Sequence, residues 1–165
     1  MKKRGVSEVA PFDAEFLFVT VSSQQGISDV KREIKRAANK NAKIIIGGGG
    51  CYAPAIFDDI ADLICVGEGS DFVETFFNHG YEAASERPES WVPGETRDII
   101  PSKNFPWGCP PLNHPDGTVR VFASRSCRYS CLFCQTGWES PYRVNPDMLK
   151  LQKQIDWLEK NNRRV

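Results

Sequence analysis

Two kinds of apolar pattern alternate along the first half of the chain. Short continuous apolar runs, rich in β-branched and aromatic residues, predict buried strands at residues 16–21, 43–46 and 63–66. Between and after them we predict three helices. The first, at residues 28–40, has a cap at Ser28 and one apolar face; the second, at 53–61, has Pro54 in its first turn; the third, at 70–78, follows the turn at residues 67–69. Buried strands separated by helices are typical of a parallel sheet covered on both faces. We therefore predict a small Rossmann-like or flavodoxin-like α/β unit.

The pattern changes after residue 86, where periodicity is lost. Seven of the eleven prolines of the chain fall within residues 88–117. Proline-rich segments of this kind are extended and act as spacers. We predict a connector here that is held in place by large aromatic side chains, namely Trp91, Phe105 and Trp107.

Beyond the connector, the pattern becomes regular again. Residues 118–123 predict a strand, and residues 145–162 have the apolar spacing of a long helix. A strand followed by a loop and a helix is one βα unit. The predicted divisions are an α/β domain at residues 1–87, the connector at 88–117 and the βα segment at 118–165.

Composition narrows the classes of function. The 165 residues carry no formal net charge, so no global field attracts nucleic acid or an anionic membrane. The cationic start of the chain is not followed by an apolar core, and no apolar run approaches the roughly 20 residues of a membrane span. Several of the six cysteines are crowded into one short loop, which suits metal binding in a reducing compartment better than disulfides. We predict a cytoplasmic protein without a membrane partner.

That loop carries Cys127, Cys131 and Cys134 with the spacing C-x3-C-x2-C. Short gaps let one turn wrap an edge of an iron–sulfur cube, and backbone N–H groups in the turn can stabilise the cluster sulfurs. Three thiolates would hold three irons of a [4Fe–4S] cluster and leave the fourth open to a substrate or cofactor. Gly137 can supply an unusual backbone angle where the loop leaves the cluster.

The cysteine spacing alone does not exclude zinc as an alternative to the iron–sulfur cluster. Zinc could be held by the same cysteines with Cys109 or His114 as the fourth ligand. Zinc knuckles prefer paired C-x2-C units, and protein ligands occupy all four coordination positions of their zinc. The spacing therefore favours the iron–sulfur interpretation. The alternative function is therefore a non-catalytic iron–sulfur or zinc-binding module or subunit.

The strand, the cysteine loop and the helix together resemble the N-terminal part of the radical S-adenosylmethionine (radical SAM) superfamily. Cys127, Cys131 and Cys134 match the cluster ligands of that family, and Phe133 matches its aromatic beside the adenine of SAM. The resemblance implies an enzyme with a partial (β/α)6 barrel, of which residues 118–165 are the first βα unit. It also implies that the reduced cluster cleaves SAM into methionine and a 5′-deoxyadenosyl radical. An electron donor such as flavodoxin or ferredoxin is then expected, whereas the catalytic residues and the substrate stay unknown.

Residues 44–49 and 63–69 are similar to the later part of a cobalamin-binding-type domain, which often precedes the radical SAM barrel. The Asp-x-His-x-x-Gly motif that ligates cobalt in that family is absent, and His79-Gly80 lacks its context. Cobalamin is thus possible without its usual histidine ligand, and the glycine run is better explained as a tight turn. We predict that Cys65 is a core residue, and that Cys51 is structural rather than a radical relay.

The chain is too short for the barrel that the resemblance implies. Comparison with complete eight-unit barrels gives a need of roughly 200 residues for six βα units. Only one unit fits after residue 118. We therefore expect the remainder of the barrel to come from the same gene or from another chain.

Overall fold

The computed structural model describes residues 14–22, 27–37, 41–103, 105, 112–113, 119–129, 131 and 142–161. The chain divides by its internal contacts into two units, Met1–Asn104 and Phe105–Val165. None of the helices within those described ranges is long and apolar enough to cross a membrane.

The first unit is built on a four-stranded sheet with the order β1-β2-β3-β4. Its strands are β1 (Phe16–Thr20), β2 (Lys43–Gly47), β3 (Leu63–Cys65) and β4 (Ser90–Trp91). The first three strands are parallel, and β4 returns antiparallel to β3, with Trp91 opposite Ile64. The α/β character and the three strands predicted from continuous apolar runs are confirmed.

Side chains alternate across this sheet and build one core on each face, as the pleat of a strand requires. On one face, Ile46 and Ile64 pack with Ile34 of helix α1 (Ile27–Ala37). On the other face, Ile45 and Leu63 pack with buried aromatic residues of helix α2 (Ser70–Ser85). The predicted covering of both faces by helices is therefore confirmed, although this does not by itself establish a Rossmann fold.

The prediction of a helix at residues 53–61 is wrong. Two short 3₁₀ helices, Gly49–Cys51 and Pro54–Phe57, occupy the connection between β2 and β3, followed by a turn. The backbone N–H of Asp58 donates to the carbonyl of Ala55 at 3.3 Å, and that of Ile60 to Phe57 at 3.0 Å. Proline suits the first turn of a 3₁₀ helix as well as that of an α-helix, because its missing N–H is not needed there, so Pro54 does not distinguish the two.

Helix α2 continues beyond the predicted range of residues 70–78. It runs over Ser70–Ser85 and has a break at Gly80, where φ is 88°. Glycine adopts such a backbone angle without the steric cost that other residues carry. The sequence predicted an end at residue 78, whereas the helix continues to Ser85 across the break.

The first half of the predicted connector folds with the first unit. Gly67 and Ser102 form a parallel bridge, in which the Glu68 N–H donates to the Ser102 carbonyl at 2.8 Å. The Trp91 indole N–H donates to Asp58 Oδ1 at 2.7 Å. The division by internal contacts after residue 104 thus includes this half of the predicted connector in the first unit. Of the aromatic residues predicted to hold the connector, Trp91 and Phe105 make contacts, and Trp107 lies outside the described residues.

Within its described residues, the second unit has two short antiparallel pairs and one helix. β5 (Leu112–Asn113) pairs with β6 (Val119–Arg120), β7 (Ser124–Arg125) pairs with β8 (Arg143–Val144), and α3 spans Met148–Lys160. The predicted helix is thus present. The strand predicted at residues 118–123 is interrupted, because the Phe122 and Ala123 carbonyls accept hydrogen bonds from Asn145 instead. In the described part of this unit no parallel strand pair occurs, so the barrel stays a prediction.

Candidate metal centre in the cysteine loop

The cysteine loop leaves β7 through a residue with an unusual backbone. Ser126 has φ of 65°, in the left-handed region that residues other than glycine rarely adopt. Such strained residues cluster at functional sites, where the surrounding structure holds them. The turn places Cys127 directly after the strand, and the Tyr129 backbone N–H donates to Cys127 Sγ at 3.5 Å.

Two of the predicted ligands lie in the described part of the chain. Cys127 is half-buried and Cys131 is exposed, and neither forms a disulfide. An N–H donor aimed at a sulfur stabilises a thiolate, which is the form that binds metals. A half-buried thiol with such a donor therefore fits the donor set of an iron–sulfur cluster.

Several predicted site residues lie outside the part of the chain that the structure describes. These are Cys134, Phe133 and Gly137, together with the alternative zinc ligands Cys109 and His114. Within the described ranges no group of three His, Cys, Asp or Glu side chains could hold a metal. Since Cys134 is not among them, the predicted three-cysteine set is not tested and stays a prediction.

Two arginines flank the loop, and each lies against an aromatic ring. The Arg125 guanidinium lies 5.0 Å from the centroid of the Phe105 ring, and that of Arg128 lies 5.3 Å from the Tyr129 ring. Contacts of this kind hold a guanidinium in place while it keeps its charge. Along the sequence, one guanidinium lies two residues before Cys127 and the other directly after it, where positive charge would offset that of an anionic cluster.

Asn145 supports the approach to the loop, a role that the sequence did not suggest. Its side chain is buried, and its amide donates to the Phe122 carbonyl at 2.9 Å. Its Oδ1 accepts the Asp147 N–H, and Asp147 in turn caps α3 by accepting the Lys150 N–H at 2.8 Å. A single side chain therefore ties the segment before the cysteine loop to the start of α3.

The two cysteines of the first unit belong to its core. Cys51 and Cys65 are buried in the cores on opposite faces of the sheet. Desolvation by burial raises the pKa of each thiol to about 12, and the nearby Glu89 carboxylate adds to the effect on Cys65. Both residues are thus neutral thiols near pH 7, which confirms Cys65 as a core residue and favours a structural role for Cys51.

Native-state alkylation should separate the two classes of cysteine. At pH 8, iodoacetamide is expected to label Cys127 and Cys131 at least about 100-fold faster than Cys51 and Cys65, because the buried thiols are protonated and inaccessible. Peptide mass spectrometry of the metal-free protein measures the labelled fraction at each position. Equal rates in the native protein would contradict the assignment, whereas equal rates in denaturant are expected.

The glycines at the ends of β2 and β3 allow close approach of backbone to backbone. A Cβ on Gly48 would lie 2.6 Å from the Val21 carbonyl oxygen, and one on Gly67 would lie 2.4 Å from that of Ser102. Both glycines have positive φ, close to 100°. Chain packing therefore accounts for these glycines without any ligand, in agreement with the tight turn predicted from the sequence.

A polar cleft of about 240 Å³ lies beside α2 and contains His79. Arg87 in this cleft bonds to Glu89, to Thr75 Oγ1 at 2.9 Å and to Asp71 at 3.7 Å. Glu89 is only 2% exposed, so its carboxylate needs this cationic partner. We interpret the cleft as part of the attachment of α2 to the segment before β4.

Comparison with protein-family models, with curated proteins and with solved structures gave no match to this chain.

Proposed function

We propose that this chain is the N-terminal portion of a radical SAM enzyme. The spacing of Cys127, Cys131 and Cys134 carries the proposal, and the N–H donor to Cys127 Sγ supports it. A cluster and SAM would supply one-electron cleavage of the sulfonium bond, giving a 5′-deoxyadenosyl radical. The substrate and the catalytic residues are not part of the proposal.

Within this function, each residue of the loop has a distinct task. The three cysteines would hold three irons, and Phe133 would contact the adenine of SAM. Gly137 would allow an unusual backbone angle where the loop leaves the cluster. Arg125 and Arg128 offset the negative charge of the thiolates, and the Tyr129 N–H orients the sulfur of Cys127.

The second unit also supports a partner that completes the barrel. Large apolar side chains are exposed along α3 and beside the short strands, with Leu149 at 79% and Trp157 at 62%. Others are Tyr129, Tyr142, Val144 and Met148. Apolar exposure of this extent marks an interaction surface. We propose that the remaining βα units, from the same gene or another chain, cover it, and that flavodoxin or ferredoxin supplies electrons in the cytoplasm.

Anaerobic reconstitution with iron and sulfide tests the cluster and the cofactor together. We expect about four irons and four sulfides per chain, and a reduced-state EPR spectrum that changes when SAM is added, because an open iron binds it. The readout does not depend on turnover, so it does not require the rest of the barrel.

Two results would overturn the proposal in different ways. A cluster whose spectrum is indifferent to SAM would indicate an iron–sulfur module without radical chemistry. One zinc per chain, tightly held with tetrahedral coordination after aerobic purification, would indicate the zinc-binding alternative.

A further inference from the structure

The first unit has a free sheet edge that is unusually apolar. β1 is the terminal strand of the sheet, and no other strand of the described chain pairs with its outer side. Its residues, Phe16–Thr20, include no charged residue and no proline. Soluble proteins commonly protect a sheet edge with lysine, proline or a bulge, because an unprotected edge pairs with other chains.

An aromatic patch continues from this edge onto α2. Phe18 is 42% exposed and stacks on Phe77, which is 73% exposed, with ring centroids 6.0 Å apart and planes at 15°. Phe76 packs edge-on against both rings and anchors them to the core. Val73, one turn earlier on α2, is exposed beside Phe77. The patch is therefore fixed in place before any partner binds.

The hydrogen-bonding direction of β1 can be deduced from its contacts with β2. The Val21 N–H donates to Gly47, and the Glu15 carbonyl accepts from Lys43, each at 2.8 Å. Successive residues of a strand direct their backbone N–H and C=O groups to opposite sides. The backbone groups of the odd-numbered residues of β1 therefore point towards β2. Phe16, Phe18 and Thr20 then direct their N–H and C=O groups outward.

We propose that a second copy of this chain pairs with this edge, β1 against β1 in antiparallel orientation about a two-fold axis at Phe18. In that register Phe18 faces Phe18 of the other copy, and Phe16 faces Thr20, so all outward backbone groups of the three residues find partners. Leu17 faces Val19 on the opposite face. The strand is thus complementary to itself, which is what an isologous interface requires.

The available area indicates a weak dimer. A covered aromatic side chain buries about 150–250 Å², so the exposed parts of Phe18 and Phe77 in two copies provide roughly 500 Å². With the backbone edge included, the interface falls at the small end of specific interfaces, where association is weak. We therefore expect a dissociation constant of about 0.1 mM.

Sedimentation velocity of the metal-free, reduced full chain over about 0.01–1 mM tests the pairing, since this range brackets the expected constant. Phe18→Lys and Phe18→Glu should each weaken association at least about 10-fold, because like charges then face each other across the axis. Mixing the two variants should restore association, because opposite charges now face each other. Far-UV circular dichroism checks that each variant is folded.

Two control variants keep the test specific to this edge. Ile100→Glu alters a residue of the same unit that is 67% exposed but lies outside the patch, and it should leave association unchanged. Leu149→Glu removes an apolar residue from the second unit and should also leave it unchanged. Association that is lost in Leu149→Glu and retained in the Phe18 variants would overturn the proposal.

A chain that is monomeric at about 1 mM would overturn the proposal as well, given the constant expected from the buried area. If deletion of residues 2–13 then produced a dimer, the N-terminal segment would be the occupant of the edge. Failure of the mixed Phe18 variants to associate would exclude the two-fold register. The proposal is independent of the iron–sulfur cluster, because all measurements use metal-free protein.

Discussion

Replacement of Cys127 by alanine is expected to remove most of the iron that the reconstituted chain retains. A cube held at three corners by thiolates loses a corner, and two ligands on a surface loop do not retain it against chelators. We expect iron to fall from about four atoms per chain to below about one, with loss of the charge-transfer absorption. Iron and sulfide analysis after desalting measures the effect.

Cys65→Ala is the matched control for this variant. This variant also removes a thiol, but from the core of the first unit, where the thiol is neutral and buried. It should lower the free energy of unfolding by about 1 kcal/mol while leaving the iron content unchanged. The metal-free form of Cys127→Ala should unfold at the same temperature as the unaltered chain, because Cys127 lies in a loop. Retention of full iron by Cys127→Ala would contradict its assignment as a ligand.

Gly67→Ala should be among the most destabilising single substitutions in the first unit. The added Cβ would lie 2.4 Å from the Ser102 carbonyl oxygen and 2.8 Å from its nitrogen, both backbone atoms that cannot rotate away. The positive φ of Gly67 costs about 1–3 kcal/mol for a residue with a side chain, and two hydrogen bonds of the bridge to Ser102 would be lost. We expect a total loss of about 3–5 kcal/mol.

Gly94→Ala separates the backbone angle from the steric clash. Gly94 also has a positive φ, 83°, but a Cβ added at this position would meet no described atom within 4 Å. It should therefore lose only about 1–3 kcal/mol, the cost of the angle alone. Denaturant unfolding followed by circular dichroism compares the two variants. Equal losses would show that the contact with Ser102 does not constrain position 67.

The sequence predicted the parallel strands because their apolar residues lie on both faces of the sheet. The runs at residues 16–21, 43–46 and 63–66 contribute to the cores on both faces, although β1 at the edge is only partly buried. β4 was not predicted, because a strand of two residues is too short to show an alternation of apolar and polar side chains. In addition, Ser90 and Trp91 lie in a proline-rich stretch. Its position depends on a long-range pairing with β3 that local pattern does not encode.

The same distinction applies to the candidate site. The cysteines could be predicted as ligands because their spacing is local, and their chemistry does not depend on distant residues. The support from Asn145 could not be predicted, since it depends on where the carbonyls of Phe122 and Ala123 lie after folding. Likewise, the left-handed backbone of Ser126 could not be predicted, because a serine in the sequence does not indicate a positive φ.

The hydrogen bond to Cys127 Sγ comes from the backbone of Tyr129, and this affects how the loop can diverge in evolution. Every amino acid except proline has the N–H that this bond requires, so the identity of residue 129 is not constrained by it. Selection for this interaction would conserve the cysteines and exclude proline while the residues between them drift. A loop of this kind can keep its function after most of its sequence has changed.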